Sequence, residues 1–175
     1  MQKVLRLLLV LSLPLLLSSF HTPEKEKLKW LSLTELQSAF AKQPKPIIID
    51  VYTDWCGWCK VMDRETYSNE KVIGYLNKNF YAVKFNAESK AEVVFANKKY
   101  AYNPAYNANE LAVYLLGGRM GYPTTVFLSA LDAQPAPLSG YLKPAELEPP
   151  VKYFGDGAYK TKNFPDFMKE FTGTW

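Results

Sequence analysis

The sequence is poor in the residues that hold metals. Its 175 residues include one histidine, His21, and two cysteines, Cys56 and Cys59. Zinc and copper sites need more ligands than two thiolates, commonly with histidine among them, so no metal is expected. A flavin- or nicotinamide-binding signature is also missing, so the chain has no means of drawing electrons from such a cofactor itself. No internal repeat is visible. No cysteine follows the leucine-rich start, which excludes a bacterial lipoprotein anchor. Charge of one sign does not dominate either. The chain carries 21 basic and 17 acidic groups, and removing Lys3 and Arg6 leaves 19 against 17. Neither nucleic acid nor an acidic partner is implied by so even a balance.

Lys3 and Arg6 belong to the opening stretch "MQKVLRLLLVLSLPLLLSSF". A short positive start precedes an apolar run that is short for a membrane-spanning helix and is interrupted by Pro14. Residues 1–20 therefore read as an export signal. No small-x-small pair marks the cleavage site, and Ser18–Ser19 is the best candidate. The alternative is an uncleaved anchor, the only expected link to a membrane. Residues 21–29 read as a polar linker and residues 30–175 as one domain with a sizeable core. The expected location is an exported compartment, the periplasm in a bacterium, and the expected state is a monomer.

Exported proteins meet an oxidising milieu in which cysteines pair. A stabilising disulfide gains most by closing a long loop. Cys56 and Cys59 enclose two residues, in a domain that does not need the staple, so the pair is better explained by chemistry.

The rest of the chain alternates helix and strand signals. "SLTE" at 32–35 is a capping box, and Leu33, Leu36 and Phe40 share a face of a helix running to about Lys42. "IIIDVYT" reads as a strand buried on both faces. Cys56 opens a helix to about Thr66, with Cys59, Met62 and Asp63 on one face. Ser68 or Asn69 caps another, which buries Val72, Ile73 and Leu76. "FYAVKF" at 80–85 is a strand. "SKAE" at 89–92 reads as a capping box starting a helix to about Tyr100. "YAYNPAYNAN" reads as a loop, followed by a helix that Asn109 caps and Gly117–Gly118 stop. "TTVFL" is a third strand, "DAQPAP" a turn and "LSGYL" a fourth strand. Pro144 starts a helix that Pro149 and Pro150 break or restart. "NFPDFMKEF" is a last amphipathic segment. This order implies an α/β protein with a central mixed sheet flanked by helices.

Cysteines three apart on a helix lie one turn apart on one face, within reach of a disulfide. The first sits where unpaired N–H groups and the positive helix end favour a thiolate. A free thiol titrates near about 8.5, and such placement brings it to roughly 7 or below. Cys56 is then the nucleophile, and Cys59 resolves the mixed disulfide. Gly57 lets a partner backbone come close, and Trp55 and Trp58 offer an incoming chain an apolar surface. Asp50, six residues before Cys56 in the buried strand, would lie beneath the helix start with a raised pKa and take the Cys59 proton. Lys84, in the neighbouring strand, could partner it. The plainer alternatives are that Asp50 caps the turn and that Lys84 points to solvent.

The stretch "IIIDVYTDWCGWCK" resembles the active-site segment of thioredoxin, with its strand, buried acid, Trp-Cys-Gly-x-Cys-Lys and helix. "GYPTTVFL" is similar to that family's cis-proline segment, with Pro123 as the cis residue, and "GYL" at 140–142 resembles its glycine-containing last strand. The resemblance runs over about residues 30–155. It implies a thioredoxin-like fold, dithiol–disulfide exchange, and an extended substrate paired to the backbone at Tyr122 beside Pro123. The family's usual proline between the cysteines is Trp58 here, which bears on thiolate stability and hence on redox potential. The stretch from Phe85 to Pro123 is enlarged and carries Tyr100, Tyr102 and Tyr106. It either contacts partners or covers the core. The enlargement resembles exported bacterial thioredoxin-like proteins, including soluble domains that relay electrons from membrane reductases.

The expected function is thus exchange of the Cys56–Cys59 dithiol with protein disulfide and thiol substrates. No cofactor is expected beyond that redox-active disulfide. With no histidine between the cysteines, the reductase direction is favoured, fed by a membrane electron donor. A disulfide oxidase or isomerase is the alternative within the class. A non-enzymatic chaperone or adaptor is the alternative outside it.

Overall fold

The computed structural model describes residues 25–175. The segment read as an export signal, and His21, lie outside the described residues. The chain enters a sheet at once, with β1 (Trp30–Leu31). Ser32 then accepts from the Glu35 N–H while Glu35 reaches back to the Ser32 N–H, and α1 (Leu33–Lys42) follows. β2 (Ile47–Tyr52) leads into α2 (Gly57–Glu65) and α3 (Glu70–Asn79). β3 (Tyr81–Asn86) runs parallel to both β1 and β2. After the enlarged segment, β8 (Thr124–Leu128) pairs antiparallel with β2, and β9 (Ala136–Ser139) pairs antiparallel with β8. The sheet order is β1-β3-β2-β8-β9, so β2 lies at the centre.

Side chains alternate across this sheet, and the alternation makes two cores. Ile47, Ile49, Val51, Val83, Phe85 and Val126 face one way, against Leu36 of α1. On the other side Ile48, Ala82 and Phe127 meet Met62 of α2, Val72, Ile73 and Leu76 of α3, and Leu147 and Val151. Asp50 follows Ile48 by two residues, Lys84 follows Ala82 by two, and Thr125 precedes Phe127 by two. The period of two puts all three on the α2 side.

The enlarged segment is built differently from the expectation. Residues 89–100 form no helix. β4 (Val93–Phe95) and β5 (Lys98–Tyr100) make a hairpin instead. Ala96 and Asn97 both have positive φ, 49° and 61°, as a two-residue hairpin turn requires. Phe95 and Tyr100 are buried while Val94 is exposed, a period-two pattern that outweighed the Ser-x-x-Glu signal. Glu92 pairs with Lys99 at 2.8 Å rather than capping. The stretch read as a loop contains short paired strands, β6 (Tyr102–Asn103) and β7 (Ala108–Asn109). Asn109 caps α4 (Glu110–Leu115) as expected, and Gly117 and Gly118 take positive φ after it. Leu111, Ala112 and Leu115 of α4 complete the first core.

Three further expectations are corrected. The last strand lies earlier, over Ala136–Ser139, and Gly140 at φ 100° turns the chain away before Tyr141. Pro137 is tolerated because β9 is at the sheet margin, where a missing N–H breaks no ladder. Pro149 and Pro150 do not break α5 (Pro144–Gly155). Burial of Leu147, Pro150 and Val151 against the sheet sustains it although both prolines lack the N–H. Of the polar run read as a linker, Leu28 is buried and the Lys29 N–H donates to Asn77 Oδ1 at 2.9 Å. Asn77 also donates to Glu26 and to the Lys27 carbonyl, so this run is fastened to α3.

The chain ends with α6 (Phe164–Glu170) and a tail seated on Glu148, whose carboxylate accepts from the Thr174 and Trp175 N–H groups at 2.8 and 2.9 Å. Gly155, at the end of α5, marks a close approach to α3. A Cβ there would lie 2.6 Å from the Tyr75 hydroxyl oxygen and 2.9 Å from the Phe80 ring. Tyr75 is itself held by Asp156 at 2.5 Å. Gly155→Ala should therefore destabilise by about 1–3 kcal/mol, read as a lower urea midpoint at unchanged slope.

Candidate functional site

β2 is buried along its length and ends at Tyr52, where the chain turns into α2. The Cys56 N–H donates to the Thr53 carbonyl at 3.2 Å, and Cys56 becomes the N-cap of α2. Its sulfur accepts from the Cys59 N–H at 3.0 Å, so one of the unpaired helix-start donors points at it. Cys56 and Cys59 are joined as a disulfide, with Cα atoms 5.3 Å apart, and both are largely shielded. Gly57 is the first residue of the helix.

The two tryptophans of the motif are in the open. Trp55 is 67% exposed and Trp58 62%. Trp55 meets the edge of Tyr122 at 5.9 Å. Trp58 stacks on Tyr141 at 5.6 Å, and the Tyr141 hydroxyl donates to Glu65 at 3.0 Å. Thr124 pairs with Val51, which sets Pro123 beside the end of β2. The Tyr122–Pro123 bond is cis, and the Pro123 carbonyl accepts from the Gly140 N–H at 2.8 Å. Tyr141 was not foreseen as part of this rim. The clue available was its place directly after Gly140.

Beneath the motif, Asp50 is 1% exposed. Lys84 is its partner, with Nζ 3.3 Å from Asp50 Oδ2. Lys84 therefore points inward, against the plainer alternative. The ammonium also contacts Asp63 of α2 and lies 5.2 and 5.5 Å from the Tyr52 and Trp30 ring centres. Burial raises the Asp50 pKa to about 6; Lys84 opposes this, and the Asp63 charge adds to it. Asp50 Oδ1 and the Thr53 hydroxyl oxygen are buried without a hydrogen-bond partner. Across the sheet, Thr125 pairs with Asp50 in register, and its hydroxyl lies 3.3 Å from that of Tyr67. Burial, then the Asp50 charge, pushes the Tyr67 phenol well above its ordinary value. A cavity of about 510 Å³, lined among others by Trp30, Asp63, Tyr67 and Lys84, adjoins this cluster.

The enlarged segment is anchored at the same end of the sheet. The Ala87 N–H donates to the Tyr52 carbonyl at 2.8 Å, and the Asn109 N–H to that of Ala87 at 2.7 Å. Tyr100 is buried in the first core, Lys90 lies over the Tyr102 ring, and Tyr106 is exposed.

A central mixed sheet flanked by helices, with a cysteine pair capping the helix after the central strand, defines a thioredoxin-like protein. Residues 13–154 match the family model Thioredox_DsbH, described as "Protein of unknown function, DUF255", and the chain belongs to this family. Two solved structures show the same fold. One is described as "DsbH Oxidoreductase" (TM-score 0.52, 19% identity, covering 78% of this chain and 87% of that one). The other is a thioredoxin from Thermus thermophilus (TM-score 0.53, 16% identity, covering 72% and 85%). Among curated relatives, the Caenorhabditis elegans protein "Uncharacterized protein B0495.5" is 33% identical over 111 residues, 62% of this chain and 13% of that protein. "Thiol:disulfide interchange protein DsbD" of Pectobacterium atrosepticum is 38% identical over 47 residues, 27% of this chain and 8% of that protein. The matches thus span a small part of these curated relatives.

Proposed function

We propose that the protein is a thiol–disulfide oxidoreductase that reduces protein disulfides. The observation that carries this reading is the cysteine pair at the start of α2, a helix that is tied through Asp63 to the lysine partnering the buried Asp50. The Cys56 thiolate attacks one sulfur of a substrate disulfide, and the other leaves as a thiolate that takes a proton from water. Cys59 gives its proton to Asp50 and attacks Cys56 Sγ. The bond from Cys56 to the substrate breaks, its electron pair leaves on the substrate sulfur, and the Cys56–Cys59 disulfide remains. Two electrons have passed to the substrate. Trp55, Gly57, Trp58 and the Tyr122–Pro123 backbone form the surface on which an extended substrate lies. The relatives named thiol:disulfide interchange proteins support the same chemistry. The remaining parts of the reading are a location outside the cytoplasm, in a bacterial periplasm, and a membrane protein that returns the electrons.

Replacing Cys59 by serine removes the resolving thiol and keeps the nucleophile. The variant is expected to accumulate covalent adducts that a reductant dissolves, in large excess over Cys56→Ser. Gel shifts in the native cell, followed by mass spectrometry, would read this out. Equal adduct levels in Cys59→Ser and the double serine variant would overturn the exchange mechanism and favour a non-enzymatic chaperone or adaptor. Direction is tested by equilibration with glutathione. The expected potential is nearer about −270 mV than about −120 mV, because no histidine stabilises the thiolate from between the cysteines.

A further inference from the structure

Lys84 is one cation serving two carboxylates. It stands 3.3 Å from Asp50 and in direct contact with Asp63. The two acids differ in access to water: the Asp50 side chain is 2% exposed and that of Asp63 42%, with Lys84 between them at 23%. Asp63 lies four residues after Cys59, so the α2 face that presents the buried thiol also presents the acid. An undivided ion pair would oppose the effect of burial more strongly and lower the affinity of Asp50 for a proton.

We propose that Asp63 is a positioning residue for thiol–disulfide exchange: it shares the Lys84 ammonium with Asp50, so that Asp50 remains basic enough to take the proton of Cys59. The inference rests on the exchange reading above and deepens it. The proton leaves the Cys59 sulfur, forms an O–H bond on Asp50, and after the new disulfide has formed passes out through the cavity that Asp63 and Lys84 line. No other oxidant or reductant is involved. The groups facing this pair come from every side. β3 supplies Lys84, α2 supplies Asp63, and Tyr67 follows α2. β8 presents the neutral Thr125. The Trp30 ring lies beside Lys84, and Lys25, Glu26 and Lys27 line the outer part of the cavity.

The test is titration of the Asp50 carboxyl carbon by NMR in the oxidised protein, paired with the rate at which Cys59 releases a peptide held on Cys56 as a mixed disulfide. In Asp63→Asn the ammonium belongs to Asp50 alone. Its midpoint should fall by about one on the pH scale, a tenfold loss of basicity. Peptide release should slow about threefold at pH 7, the square root of that loss, as for a proton in mid-transfer. Asp63→Glu should restore both, and Lys84→Met should move the midpoint upward. A merely structural Asp63 would leave the midpoint in place, and an unmoved or raised midpoint in Asp63→Asn overturns the proposal. A midpoint that falls in a chain whose Cys59→Ser variant captures nothing would overturn the exchange reading instead.

Discussion

Asp50→Asn should make the protein more stable at pH 8 by about 3 kcal/mol while slowing it as an exchanger. Both effects have one origin. Burial chiefly raises the carboxyl from 3.8, its value in the unfolded chain, to about 6 in the folded one. A folded-state value raised by about two on the pH scale means that ionisation costs the native state about 3 kcal/mol. Below about pH 4 the group is protonated in both states and the cost vanishes. As pH rises from about 4 to 6 the unfolded chain sheds its proton first, and stability falls. Above about pH 6 the full cost stands. Asparagine carries no charge to desolvate, and Lys84 keeps Asp63 as a partner. Urea unfolding at pH 8 and pH 4 should therefore show a gain that disappears in acid. Loss of the proton acceptor should slow release of mixed disulfides about 10²-fold at neutral pH. A variant neither stabilised at pH 8 nor slowed would make Asp50 an ordinary buried side chain.

Phe127→Ala should cost about 3–5 kcal/mol, a large part of the roughly 5–15 kcal/mol by which a domain is stable. Phe127 projects from β8 into the second core and is fully buried. Its ring stacks on Phe154 of α5 at 5.2 Å and meets Phe80 edge-on at 6.3 Å. The void left by truncation would be walled by a sheet on one side and aromatic rings on the other, neither free to collapse into it. Denaturant midpoints would measure the loss. A cost below about 1 kcal/mol would mean that α5 closes the gap, contrary to this packing.

Much of the central scaffold was legible before the structure. β2, β3 and β8 announced themselves as short β-branched or aromatic runs, and α1, α3 and α4 by their caps. These signals are local, and burial reinforces them. Asp50 and Lys84 could be paired in advance because both interrupt apolar strands, and parallel register sets them side by side. What escaped depended on competition between signals or on distant contacts. Ser89 to Glu92 matched a helix start, but Phe95 and Tyr100 needed a core that only a hairpin could reach. Two prolines argued against a continuous α5, yet packing against the sheet held it together. Trp30 and Leu31 form a strand only because β3 is beside them. Trp58 reads as an exposed aromatic from sequence; its stacking on Tyr141 depends on the turn at Gly140, over 80 residues away.

The two margins of the sheet have a consequence for self-association. At one margin β1 offers two residues, too few to template another strand. At the other, β9 is exposed along its length, but Pro137 interrupts its row of donors and Gly140 bends the chain away. Neither margin presents the long, regular ladder along which identical chains zip into fibrils. The margins of the five-stranded sheet thus give crowded copies little to polymerise along.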